Sequence, residues 1–365
     1  MSFSDFHGNS QIVDQLRQML GRARLPQAVI LAGPCGSGKY TLALMLARAM
    51  NCQAPPAGGL PDFCGQCSNC LRIARAEDFD SRYAEAFEAR ENLRESDKKE
   101  TRILIQTHPD VLVIPPDPPQ MMIKVDQVRH VTRSIYFRPT EARERVYIFT
   151  DSVFMKEASN SLLKVLEEPP EFATIFLLTE NAGQLLPTIR SRSMIFRLMA
   201  LAPEIVEQYL ADERPQWSEQ QRLLVSRLCE GAVGRARSFD WTLYTAARQQ
   251  ALVIINSALR GSNHSELFKI TDSYRAGAEG REKMERLLTT IYSLLQDLLF
   301  LTSDTPELVR NIDIRGELKK IADTVDFAWL SSAAHSLAEV ERGMRRNLLR
   351  SLSLDAFATS LEITT

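Results

Sequence analysis

Apolar residues follow two regimes along the chain. Up to about residue 200, short apolar runs recur between longer stretches at helical spacing; beyond it the short runs stop and helical spacing continues. Ile12, Leu16 and Leu20 fall on one face of an amphipathic helix over 11–22. AVILA (28–32) predicts a buried strand and TLALMLARAM (41–50) a helix. Residues 111–114, 146–149, 175–178 and 194–196 repeat the strand pattern. Helices are predicted between them, over 125–136 with Val128, Val131 and Ile135 on one side, and over 157–168. Strands alternating with helices predict a parallel sheet covered on both faces. Pro203 opens the all-helical region, in which 231–234 and 260–280 are the expected breaks. Boundaries near 200 and 240 give three expected domains: 1–200, 201–240 and 241–365.

Two stretches depart from this rhythm. Residues 52–70 carry Pro55, Pro56, Gly58, Gly59 and Pro61, which oppose regular structure, and four cysteines spaced C-x11-C-x2-C-x2-C: Cys52, Cys64, Cys67 and Cys70. Four thiolates so close suit one tetrahedral Zn2+, and with no open ligand position the metal is structural rather than catalytic. Residues 77–106 hold six Arg/Lys and nine Asp/Glu, with Tyr83, Phe87 and Leu93 among few large apolar side chains, and read as an exposed helical insertion. Of the other cysteines, Cys35 lies in a glycine-rich loop and Cys229 reads as a small buried apolar residue.

The net charge of -2 gives no global attraction to nucleic acid, which argues against a DNA-binding zinc protein. The N-terminus MSFSDFHGNSQ has no basic region followed by an apolar core, and no apolar run is long enough to span a bilayer. The expected location is the cytoplasm, where thiols stay reduced and bind metals.

The glycine-rich loop is GPCGSGKY (33–40). In a phosphate loop, backbone N–H groups and a helix N-terminus surround the phosphates, a lysine meets the terminal phosphates, and a Ser/Thr hydroxyl holds magnesium. Gly33, Gly36, Gly38 and Lys39 are in place, but the magnesium position is Tyr40, and Thr41 comes one residue late, about 100° around the helix. Asp151, after the apolar run 146–149, is the candidate acidic partner; Ser152 follows it where a hydrolytic site has a glutamate. Efficient ATP hydrolysis is therefore not expected, and residual ATP or ADP binding stands against a tight turn kept for packing. Asp151 has an alternative reading as a cap of the next helix.

NSLLKVLEEPP (160–170), TIFLLTEN (174–181) and LLPTIRSRS (185–193), with the cysteine spacing, HPD (108–110) and VDQVR (125–129), resemble the bacterial DNA polymerase III clamp-loader subunits of the gamma/tau and delta prime kind. The resemblance covers roughly residues 5–240, apart from the insertion. It implies an α/β AAA+ nucleotide-binding domain bearing the zinc module, a small helical lid and an all-α collar that oligomerises. It also implies a five-subunit ring with other clamp-loader subunits (gamma/tau, delta), acting on the sliding clamp and primer-template DNA through the assembled complex. Delta prime subunits often lose the ATP motifs while serving a neighbour, and Tyr40 and Ser152 match that pattern; the alternative is an active gamma/tau-like ATPase. By the same resemblance Arg192, flanked by Ser191 and Ser193, is an arginine finger for a neighbour's ATP, where the residue-level alternative is a surface arginine capping a strand–helix junction. Arg235 in GAVGRA (231–236) is a candidate phosphate sensor or a partner of a carboxylate, and Thr179, Glu180 and Asn181 occupy the other sensor position. Arg342, Arg345, Arg346 and Arg350, near Leu348, Leu349 and Leu352, suggest either an oligomerisation helix or an ordinary solvated one.

Overall fold

The computed structural model describes residues 2–260, 265–274, 277–345 and 350–361. By compactness these divide into two units, 1–209 with 230–235, and 210–229 with 236–365.

The first unit is built on a six-stranded sheet in the order β2-β3-β4-β5-β1-β6. The chain runs through α1 (Ser10–Gly21), β1 (Ala28–Ala32), α2 (Lys39–Asn51), α3 (Ser68–Ala74), α4 (Phe79–Glu91) and α5 (Glu95–Glu100). It continues with β2 (Ile105–His108), β3 (Val111–Ile114), α6 (Val125–Ser134), β4 (Arg145–Phe149) and α7 (Lys156–Glu167). β5 (Ala173–Thr179), α8 (Pro187–Arg190) and β6 (Met194–Arg197) complete the sheet region. All neighbours pair in parallel except β2 with β3.

Alternation along the strands supplies two cores. Val29 and Leu31 of β1, Val146 and Ile148 of β4, and Phe176 and Leu178 of β5 pack with Leu16, α2 and Cys52 and Cys70 on one face. Ala28, Ile30, Tyr147, Phe149, Ile175 and Leu177 pack with Val128, Val131, Leu162 and Val165 of α6 and α7 on the other. Apolar residues on both faces are what makes these strands read as continuous runs. The cysteine segment thus belongs to the layer that carries α1 and α2.

The 77–106 stretch is largely exposed and helical, as expected, and departs from that reading at Arg90 and at its end. α4 and α5 are helical, but Ile103 and Ile105 are buried and the stretch runs into the antiparallel edge strand β2. Arg90 donates to the buried Asp117 at 3.1 Å, and Ile103 N–H donates to the same carboxylate oxygen at 3.1 Å. Charge count hid these two isoleucines and that anchor. The cysteine segment likewise turns helical at Ser68, with Cys67 at the N-cap of α3.

The second unit is helical. Its main members are α10 (Glu219–Leu228), α12 (Trp241–Arg260), α14 (Gly277–Thr302), α15 (Arg315–Ala322), α16 (Phe327–Arg345) and α17 (Arg350–Ser360). α9 (Pro203–Glu213), α11 (Val233–Arg237) and α13 (Ser265–Asp272) complete the α-helices among the described residues. Ile254, Ile255, Leu287, Ile291, Leu298, Leu337 and Phe357 centre the core of this unit. Arg346, Leu348 and Leu349 of the C-terminal stretch lie outside the described residues. Among the described residues, no helix is long and apolar enough to cross a membrane.

Candidate functional site

β1 delivers the chain into the glycine-rich loop, and α2 begins at Lys39. Gly36 and Gly38 have φ of 78° and 86°, a region that other residues enter at a cost. The loop is bonded to itself. Lys39 Nζ donates to the carbonyls of Gly33 and Pro34, each at 2.7 Å, and Ser37 N–H donates to Pro34 O at 3.1 Å. Gly234 N–H donates to Gly36 O at 2.8 Å, and a Cβ on Gly234 would lie 2.9 Å from that oxygen, so only glycine permits the approach.

Tyr40 lies in the magnesium position, but its hydroxyl is committed elsewhere. It donates to Ala76 O at 2.6 Å, and its ring meets Phe79 edge-on at 5.4 Å. Burial pushes the phenol well above its ordinary pKa, so it stays a neutral donor. Thr41 lines the cavity of about 350 Å³ beside the loop, with Cys35, Lys39, Asp151, Thr179 and Glu180. Burial pushes the Lys39 ammonium below the usual lysine range, against the pull of Cys35, Glu180 and Asp151. Burial and Glu180 push Asp151 upward, against Lys39. Two carboxylates and one ammonium leave the cavity with no surplus positive charge for a polyphosphate.

Of the sensor candidates, Thr179 Oγ1 bonds within its own turn, accepting from Asn181 N–H at 3.3 Å, and Asn181 Oδ1 accepts from Gly183 N–H at 2.8 Å. Arg235 pairs with Glu230 at 3.2 Å while its backbone lies against Gly36. Arg192 follows the short α8, away from this cavity. It donates to Thr188 O at 3.1 Å, to Ser191 Oγ at 3.3 Å and to Glu167 Oε1 at 2.9 Å. Ser191 and Ser193 hydroxyls bond back to Thr188 O and Ile189 O. The guanidinium therefore caps the end of α8, and the chain outside the LLPTIRSRS segment contributes Glu167, a partner that no spacing in the sequence indicated.

The four cysteine sulfurs all lie within 4.8 Å of one another. A tetrahedral zinc site needs Zn–S near 2.3 Å and hence sulfurs about 3.8 Å apart, so small movements suffice. Backbone N–H groups already face the sulfurs: Cys64 N–H on Cys52 at 3.2 Å, and Cys67 N–H on Cys64 at 3.3 Å. The N–H groups of Gln66 and Cys67 bring the Cys64 thiol down to about 6, while burial pushes Cys52 up. Donors aimed at sulfur favour thiolate, the form that ligates metal. The four cysteines can hold one metal ion.

Sequence motifs did not reveal what ties this cluster to the sheet. Asn51 Oδ1 accepts from the N–H groups of Arg143 and Glu144, and Asn69 Nδ2 donates to Asn51 O at 3.0 Å. His108 Nε2 meets Asn69 Oδ1 at 3.1 Å. Arg17 donates to Pro61 O and Leu60 O, and Arg48 pairs with Glu77 and lies over Phe63 at 5.3 Å. Asparagines look like ordinary loop residues until the fold buries them.

Residues 8–202 match the profile of the family described as DNA polymerase III, delta subunit. The chain is 31% identical over 176 residues to the delta' subunit of Pseudomonas aeruginosa, covering 48% of this chain and 44% of that one. It is 30% identical over 210 residues to the gamma subunit of Buchnera aphidicola (57% and 48%) and 28% identical over 267 to the tau subunit of Escherichia coli (72% and 36%). The chain spans less than half the length of each of these curated relatives. Among solved structures, a gamma subunit-related protein from Thermotoga maritima is similar at 17% identity and a TM-score of 0.37, over 95% of this chain and 98% of that one.

Proposed function

As the chain belongs to the DNA polymerase III delta-subunit family, whose profile spans residues 8–202, we propose that it is a delta prime-type clamp-loader subunit that does not hydrolyse ATP and serves a neighbouring ATPase. The observation that carries this reading is Tyr40: its hydroxyl is bonded to Ala76 O, where a hydrolytic site needs a small hydroxyl on magnesium. The self-bonded Lys39 and the Asp151–Ser152 pair support it. ATP or ADP binding at Gly33, Gly36, Gly38, Lys39, Thr41, Asp151 and Arg235 is at most residual.

In this reading Arg192 leaves Glu167 and reaches the γ-phosphate of a neighbour's ATP, where a planar, permanently charged fork neutralises developing charge. Its partners are gamma/tau and delta subunits, and it meets the sliding clamp and primer-template DNA through the complex. Residues 201–240 serve as the lid and 241–365 as the collar. The metal at Cys52, Cys64, Cys67 and Cys70 is Zn2+, and it is structural because all four positions are filled by protein.

Reconstitution tests the reading. The purified chain should show no ATP turnover, and Arg192→Ala should leave assembly intact while lowering clamp-stimulated hydrolysis by the assembled loader at least about tenfold. Turnover by the chain alone, with tight magnesium-dependent ATP binding, would favour a gamma/tau-like ATPase instead. An assembled Arg192→Ala loader with unchanged rate would remove the finger.

A further inference from the structure

We propose that the four-cysteine module is the clamp that keeps the phosphate loop in its self-bonded shape, and that Tyr40 is the link between the two. The inference rests on a metal at the cysteines but not on the arginine finger.

α2 carries the loop's lysine at its first residue and Tyr40 at its second. The Tyr40 hydroxyl ends on Ala76 O, two residues beyond α3, the helix that begins at the metal cluster with Cys67 as N-cap and Cys70 inside it. Phe79 closes over the Tyr40 ring and Tyr83 stacks on Phe79 at 5.9 Å. A second strap runs parallel: Arg48, buried in α2, pairs with Glu77 and lies over Phe63, the residue before Cys64. α2 is therefore gripped by residues on both sides of the cluster.

α3 has seven residues, too few to hold a helix unaided. Its N-terminus is fixed by two of the four cysteines. With metal bound, α3 presents Ala76 O at a fixed place, and the buried phenol has its acceptor. Without metal, α3 loses that anchorage, Ala76 O moves, and a buried hydroxyl is left without a partner, at a cost that favours opening. Lys39 and the rest of the loop then lose the wall against which they close. The side chain that removes the magnesium ligand is, in this view, kept for a mechanical task.

Hydrogen exchange followed by mass spectrometry on the full chain tests this, with metal content measured on each sample. Chelation of wild type should speed exchange across residues 33–41 about tenfold or more, and clearly more than in β3 and β4. Tyr40→Phe, which keeps the ring and loses only the hydroxyl, should retain one metal per chain yet speed exchange in the same loop on the order of fivefold, the equivalent of one net hydrogen bond. Three results would overturn the proposal: loosening confined to 52–77 after chelation, a Tyr40→Phe loop as protected as wild type, or equal loosening of β3 and β4. Wild type purified without metal would instead remove the zinc reading itself.

Discussion

The carboxylate of Asp110 accepts backbone N–H bonds from Thr140, Glu141 and Ala142 at 2.8–2.9 Å. Burial pushes its pKa up, but those three donors and Arg145 more than offset this, and the group lies below the ordinary carboxylate range. Asp110→Ala leaves three N–H groups without that acceptor and should cost about 3 kcal/mol or more, read as a lower urea midpoint. Its neighbour His108 accepts from Asp110 N–H on Nδ1 at 3.1 Å, which places the ring proton on Nε2, facing Asn69. Burial and the charge of Arg72 lower its pKa. The unfolded chain therefore binds more protons than the folded one just below pH 6.5, and the His108 contribution is complete above that value and falls as pH drops through it. Asp110 adds a second loss at lower pH: its contribution is complete above about 3.9 and disappears as pH falls through its depressed folded value. Urea midpoints between pH 8 and 5 should fall below pH 6.5 in wild type, and His108→Gln should flatten that slope while lowering the whole curve.

At the scale of elements, the segment 230–235 is held to the phosphate loop and to the chain after β6 by backbone. Gly231 has φ of 76°, and its carbonyl accepts Leu201 N–H at 3.0 Å. A Cβ there would stand 2.3 Å from Leu201 O and 2.4 Å from Leu201 N, neither of which can swing aside. Gly231→Ala should cost at least about 2 kcal/mol, visible as a lower melting temperature. Sequence spacing marked this stretch as a break between helices and the resemblance made Arg235 a candidate phosphate sensor; that its backbone bonds directly to the loop emerged only from packing. Most strands and helices, by contrast, were legible from periodicity, because apolar residues on both faces of the parallel strands leave continuous runs. β2 was not, since only its first and last residues, Ile105 and His108, are buried, at a sheet edge directly after a charged stretch.

At the largest scale, the four-cysteine cluster is joined to the sheet through Asn51, Asn69 and His108, and its segment to α1 and α2 through Arg17 and Arg48. Metal removal should therefore weaken more than the proline- and glycine-rich loop. Structural zinc contributes several kcal/mol to folding in small domains, so chelation should lower the melting temperature on the order of 10 °C, with one metal released per chain. A shift of less than a degree would mean the cluster supports only its own loop. The amino-acid sequence by itself determined the parallel sheet, the cysteine quartet, the damaged phosphate loop and the family, because periodicity, ligand spacing and motif order are local along the chain. The tertiary structure alone decided where Tyr40 points, that Glu167 takes Arg192, and that a chain of buried amides ties the cysteines to the sheet. Each of these joins residues distant in sequence or depends on burial, and both exist only once the chain has folded.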